Sequence, residues 1–223
     1  GSFRSAQHLV WHPDGYVVFI DASGTTDSWV RKITSEGNIT TLVQIEAVGH
    51  ASISNENTIL FCYGSGSNSR TIFELAENNT LNPLFVAPQN DPQREDRDYV
   101  LSAAFDDEGN LFYTTSSALY KVESSNTPVL VAGDPISTGD VQGSPSEARF
   151  SGLKSLAMTT DGAMYAIDPF AQKLLQITDT EVSVFASQET DGIELPFELR
   201  LSANGEKIYV LLQNGDIYSY ECN

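Results

Sequence analysis

One turn recurs five times along this chain of 223 residues, and its spacing restricts what the chain can fold into. The five turns are Trp11-His12-Pro13-Asp14-Gly15-Tyr16, Ile53-Ser54-Asn55-Glu56-Asn57-Thr58, Phe105-Asp106-Asp107-Glu108-Gly109-Asn110, Met158-Thr159-Thr160-Asp161-Gly162-Ala163 and Leu201-Ser202-Ala203-Asn204-Gly205-Glu206. The aligned positions Gly15, Asn57, Gly109, Gly162 and Gly205 are 42, 52, 53 and 43 residues apart. Periods of this size belong to repeat architectures, in which one unit cannot bury its apolar face alone. Glycine or asparagine there supplies the positive φ that a tight hairpin turn needs.

Between the turns, short β-branched and aromatic runs alternate with Ser/Asn-rich breaks, and helical periodicity is missing, so the expected class is all-β. In the first unit the strand-like runs are 9–12, 16–21, 29–33 and 39–43; in the fourth they are 156–159, 163–168, 173–177 and 182–186. Four short antiparallel strands in about 40–50 residues describe a propeller blade. The expected fold is a five-bladed β-propeller of four-stranded antiparallel blades, one domain over 1–223, with blades at about 6–45, 46–87, 98–133, 150–187 and 195–223. The fifth unit runs out after its third strand, whereas residues 2–5 precede the first. The N-terminal strand 2–5 is therefore expected to complete the last blade and hide its edge. A six-bladed ring is the alternative.

The stretch Ala148-Arg149-Phe150-Ser151-Gly152-Leu153-Lys154-Ser155-Leu156-Ala157-Met158-Thr159-Thr160-Asp161-Gly162-Ala163-Met164-Tyr165-Ala166-Ile167-Asp168 resembles the NHL repeat, as does Val30-Arg31-Lys32-Ile33-Thr34-Ser35-Glu36-Gly37-Asn38-Ile39-Thr40-Thr41-Leu42-Val43 for the outer strands. Unit two lacks the glycine, and unit five lacks the acid that ends the second strand. The resemblance implies a propeller, usually six-bladed, that serves as a rigid platform for protein or ligand binding. Some NHL proteins are secreted or surface-anchored bacterial proteins, so the resemblance implies a secreted, periplasmic or cell-surface location, with other domains in the full-length chain. Metal-dependent lyases of the group rely on several histidines; this chain has His8, His12 and His50.

Charge excludes other partners. Twelve basic residues against 30 acidic ones leave −18, which forfeits the counterion release that drives nucleic-acid binding and opposes anionic lipid. No apolar run approaches the about 20 residues of a membrane span. Cys62 and Cys222 allow one disulfide and no CxxC metal cluster, and Cys62, inside a strand-like run, reads as a small buried hydrophobe. Asn38-Ile39-Thr40 and Asn78-Asn79-Thr80 fit the N-glycosylation pattern.

First strands of a propeller line its channel, and alternate residues share a face. The alignment thus predicts a ring of His8, His50, Ser102, Ser155 and Glu198, followed by one of Val10, Ser52, Ala104, Ala157 and Arg200. Leu9, Ala51, Ala103, Leu156 and Leu199, then Trp11, Ile53, Phe105, Met158 and Leu201, are expected between the sheets. Two imidazoles and a carboxylate make His8, His50 and Glu198 a possible divalent-metal set. The competing reading needs no cofactor: a hydrogen-bonded plug in which Glu198 pairs with Arg200 and the histidines meet serine hydroxyls.

Two long connections, 88–99 and 133–152, join a fourth strand to the next first strand and fall on one face. They bring Arg94, Arg97, Tyr99 and Arg149, with Lys154 just beyond, to one rim as a candidate ligand-binding set. The alternative is that these arginines pair with Glu95, Asp96, Asp98 and Glu147. No GxSxG, HExxH or phosphate-loop motif occurs. The function expected is a non-catalytic binding or scaffold module that engages a protein or carbohydrate ligand through the loop face. The alternatives are a metal-dependent lyase or hydrolase at the channel mouth and a structural spacer without ligand.

Overall fold

The structure, a computed structural model, describes residues 5–22, 28–45, 49–54, 56–63, 68–89, 99–159, 161–202 and 205–222. Five antiparallel sheets stand in a ring around a channel, a five-bladed β-propeller. Blade one is β1 (Ala6–His12), β2 (Tyr16–Ala22), β3 (Ser28–Thr34) and β4 (Ile39–Ile45). Blade two is β5 (His50–Ile53), β6 (Ile59–Cys62), β7 (Thr71–Leu75) and β8 (Leu81–Val86). Blade three is β9 (Ser102–Phe105), β10 (Leu111–Thr114), β11 (Ala118–Val122) and β12 (Pro128–Gly133). Blade four is β13 (Lys154–Met158), β14 (Met164–Asp168), β15 (Lys173–Ile177) and β16 (Val182–Ser187); blade five is β17 (Pro196–Leu201), β18 (Lys207–Leu212) and β19 (Ile217–Glu221). Among the described residues the one α-helix is Gln188–Asp191, and no helix is long and apolar enough to cross a membrane.

The recurring turn does the same work in every blade. Gly15, Asn57, Gly109, Gly162 and Gly205 all take φ between +66 and +88. Each donates its N–H to the carbonyl three residues back, from Gly15 to His12 at 3.0 Å through to Gly205 to Ser202 at 2.9 Å.

The last blade has three strands among the described residues. Of the N-terminal stretch expected to be its fourth, residues 1–4 lie outside the described residues. Ser5 accepts a hydrogen bond from the amide of Ala22 at 3.0 Å, so it extends β1 alongside β2 in blade one.

Apolar residues fill four seams. Val10, Val18, Ile20 and Val30 of blade one meet Ala51, Ile59 and Phe61 of blade two. Leu60, Cys62 and Ile72 meet Ala103, Leu111 and Tyr113; Phe112 and Leu119 meet Leu156, Met164 and Leu175; Tyr165, Ile167 and Leu174 meet Leu199, Ile208 and Val210. Both cysteines are free: Cys62 lies in the seam of blades two and three, and Cys222 packs at that of four and five. They cannot be bridged.

Register exposes a difference at the fifth seam. Ala51 and Ile53, Ala103 and Phe105, Leu156 and Met158, and Leu199 and Leu201 each pack toward the preceding blade. Their equivalents in blade one, Leu9 and Trp11, are 54% and 62% exposed, so the expectation that this pair lies between sheets is corrected. The reason is the neighbour. Blade five spends its apolar face on blade four, and its opposite face carries Arg200, Tyr209 and Ile217. Among the described residues no apolar cluster joins blade five to blade one.

The connection between β12 and β13 is folded rather than loose. Val141 bridges Arg149, Gly143 bridges Val182, and Ala148, Phe150 and Leu153 insert into the seam of blades three and four.

Candidate functional site at the channel mouth

Three of the five channel strands carry a register shift where they enter the ring: β1 between Gln7 and Val10, β13 between Lys154 and Ala157, and β17 between Pro196 and Glu198. β5 and β9 pair without one. His8 and Ser155 sit in these irregularities with φ of +49 and +56. Such conformations are unfavourable outside glycine, and bulges re-aim side chains. Here they turn Gln7, His8, Lys154 and Phe197 toward one opening.

The predicted ring is present and buried. Ser102 Oγ accepts from Leu156 N at 2.8 Å and Ser155 Oγ from Leu199 N at 2.9 Å, each tying its blade to the next. His50 Nδ1 lies 3.4 Å from Ser102 Oγ, and His8 Nδ1 3.2 Å from Glu198 Oε1. Arg200 reaches across the channel from blade five. It donates to Glu198, to Ala51 O at 2.9 Å and to Leu199 O at 2.9 Å, and faces His50 Nε2 at 3.3 Å.

These contacts assign protons. A guanidinium only donates, so His50 Nε2 accepts and its N–H stands on Nδ1, aimed at Ser102. Burial, with Arg200 beside it, holds the His50 imidazole well below its usual range and keeps it neutral. Burial alone would raise the Glu198 carboxyl, but His8, Arg200 and Lys154 together hold it below the ordinary carboxylate value. Ionised Glu198 only accepts, so His8 Nδ1 carries a proton and its Nε2 is the ring's other polar edge.

The arrangement matches the hydrogen-bonded plug, with Glu198 on Arg200 and His50 against a serine hydroxyl. A metal shared by His8, His50 and Glu198 does not fit it, because the His50 lone pair faces a guanidinium. Among the described residues no three His, Cys, Asp or Glu side chains are placed to hold a cation.

Above this plug a cavity of about 230 Å³ is lined by Gln7, His8, His50, Lys154, Ser155 and Phe197, among others. Phe197 stacks on His8 with ring centroids 6.1 Å apart, and Lys154 Nζ lies 5.1 Å from the Phe197 centroid. Lys154 is half-buried, and burial lowers its ammonium's pKa while Glu198 partly offsets that effect. Among the described residues no carboxylate lies within salt-bridge distance of Lys154 Nζ, and Glu198 is engaged by His8 and Arg200.

The expected rim set divides. Arg94 and Arg97 lie outside the described residues. Tyr99 is half-buried where the chain enters blade three. Arg149 is held in its own loop: it faces Asp134 at 3.3 Å and donates to Ser146 O at 3.1 Å and Ala148 O at 2.6 Å. Lys154, by contrast, belongs to the channel mouth. The sequence carried no sign of Phe197's role, because the β17 register shift that places it beside Lys154 and His8 depends on pairing with β18.

A wider groove of about 820 Å³ lies on the opposite face between blades one and two. Its ring pair is already occupied, with Tyr16 stacked on His12 at 4.3 Å and under Lys32 Nζ at 3.7 Å. The buried polar cluster is at the other mouth.

No protein-family model and no curated protein match the sequence. Solved propellers do match the fold. A protein of unknown function from Bacteroides thetaiotaomicron VPI-5482 superposes with a TM-score of 0.72 at 15% identity over 95% of this chain and 57% of that one. An auxiliary nutrient binding protein from the same organism gives 0.70 at 12% identity over 99% and 60%. A gluconolactonase from Xanthomonas campestris gives 0.66 at 12% over 99% and 76%. The chain thus spans less than two thirds of the first two, and at these identities the likeness is one of fold.

Proposed function

We propose that this chain is a non-catalytic binding module of a secreted, periplasmic or cell-surface protein, and that it takes its ligand on the loop face, in the cavity at the channel mouth. One observation carries the reading. A half-buried ammonium, Lys154, faces a cavity walled by Phe197 and His8, with no carboxylate of the described chain at salt-bridge distance. A concave site with an apolar wall and a few convergent polar groups is the form small-ligand sites take.

The location is supported by the acidic composition, by the resemblance to NHL blades and by the nutrient binding protein among the structural neighbours. Binding of this kind needs no metal or other cofactor. A metal-dependent lyase or hydrolase at the same place would require His50 to turn away from Arg200.

The reading is tested by screening the protein against protein, glycan and small-molecule panels by calorimetry. Lys154→Ala and Phe197→Ala are expected to abolish whatever binding is found, while Arg149→Ala leaves it intact. A ligand lost with Arg149 and kept with Lys154→Ala would move the site to the long loop.

A further inference from the structure

At the channel mouth Glu198 is engaged by both His8 and Arg200, while buried His50 is neutral. Arg200 is engaged by Glu198, two carbonyls and His50. Lys154 therefore stands without a carboxylate at salt-bridge distance among the described residues, in a chain whose total is −18. A partly buried ammonium with no counter-charge at salt-bridge distance is costly, and an anion that reaches it gains a charge-assisted hydrogen bond away from bulk water. Lys offers three donors. His8 Nε2 and the Gln7 amide stand on the same wall and can hydrogen-bond a second polar group.

Size and wall chemistry narrow the ligand. About 230 Å³ falls below the range of about 300–1,000 Å³ of drug-sized pockets, so the guest is one compact unit rather than a folded partner or an oligomer lying flat. Phe197 and Leu101 give it an apolar side. An ammonium beside an apolar wall suits an acid with a carbon skeleton better than inorganic phosphate.

We propose that the cavity at the channel mouth binds a small carboxylate, with Lys154 as its counter-charge and Phe197 as the wall for its carbon skeleton. This deepens the binding reading above and rests on it. The carboxylate comes either from a free organic acid or from the acidic terminal unit of a glycan, and the two share the same recognition.

The experiment is calorimetric titration at neutral pH and low salt with lactate, glucuronate and a short oligogalacturonate, against glucose and inorganic phosphate. The acids are expected to bind and glucose is not. Binding of lactate assigns a free acid; binding of the sugar acids alone assigns the glycan end. Lys154→Met, which keeps the stem and removes the charge, should weaken binding by about tenfold or more, as loss of a charge-assisted hydrogen bond does. Lys154→Arg should retain part of it and Arg149→Met all of it. Independently of any variant, a bound acid should protect Lys154 of the unaltered protein from reductive methylation, read by mass spectrometry.

Acid binding that survives Lys154→Met with Lys154 still freely methylated, glucose binding as tightly as glucuronate, or phosphate binding more tightly than the acids overturns the carboxylate assignment and leaves the binding module standing. Silence toward these probes, with a neutral glycan or a protein found in the wider panels, does the same. Silence in every panel removes both.

Discussion

His8 Nδ1 lies 3.2 Å from Glu198 Oε1, and this contact joins the last blade to the first across the seam that has no apolar cluster among the described residues. The other four seams are held by buried side chains such as Val30, Ile72, Leu175 and Ile167. Among the described residues the closure at the fifth is polar, and the groups that form it are also the floor of the candidate site.

Acid is expected to loosen this seam first. The folded-state pKa of Glu198 is depressed, so its contribution to stability is complete above the ordinary carboxyl value of about 4.3 and is lost as pH falls through the folded value. Hydrogen exchange at β17 and β1 should rise at pH below about 4 before exchange in β10 or β14 does. Glu198→Gln should flatten that difference; an unchanged profile would show that the contact does not close the seam.

Blade one should tolerate changes that the other blades do not. Leu9→Ala and Trp11→Ala are expected to cost at most about 0.5 kcal/mol, as exposed sites do. The register-equivalent Leu156→Ala, at 3% exposure, should cost about 2–5 kcal/mol. Urea unfolding of the three variants measures it. A large loss at Trp11 would mean that the blade-one face is covered in solution.

Two glycines with positive φ should behave differently. At Gly15 an added Cβ meets open space, so Gly15→Ala carries only the backbone cost of about 1 kcal/mol. At Gly133 the added Cβ would collide with Ser117 O and with the ring of Phe150, which packs in the seam of blades three and four. Gly133→Ala should cost about 3 kcal/mol or more, read as a lower melting temperature.

The two thiols should differ in reactivity. Burial pushes the Cys62 thiol well above its usual pKa, whereas Cys222 is half-exposed and its pKa is raised less. A thiol reagent should label one cysteine in the folded protein and two in denaturant. A single disulfide in the denatured, unreduced chain would contradict the placement of the cysteines in separate seams.

The repeat, the turn chemistry and the channel ring were readable because each rests on local rules. A glycine or asparagine at φ near +80 marks every first turn, and counting back seven residues from it reaches His8, His50, Ser102, Ser155 and Glu198 in turn. The plug was legible for the same reason, since a carboxylate and an arginine two apart on one strand share a face. Leu9 and Trp11 were misplaced because the alternation that defines an inner face does not say whether the neighbouring blade brings an apolar face to meet it. The partners of Arg149, Asp134 and its own loop carbonyls, were not readable in the sequence because they come from how that loop folds onto blades three and four.

The order of strands, the five-fold repeat and the identity of the channel residues were thus determined by the sequence alone, through hydrogen bonds and side-chain alternation that span a few residues. Only the tertiary structure decided, among the described residues, which seam is closed by polar contacts and that Lys154 faces the cavity with no carboxylate at salt-bridge distance. Both depend on side chains from blades four, five and one that are far apart in the chain, and on strand irregularities that appear only once the sheets have paired.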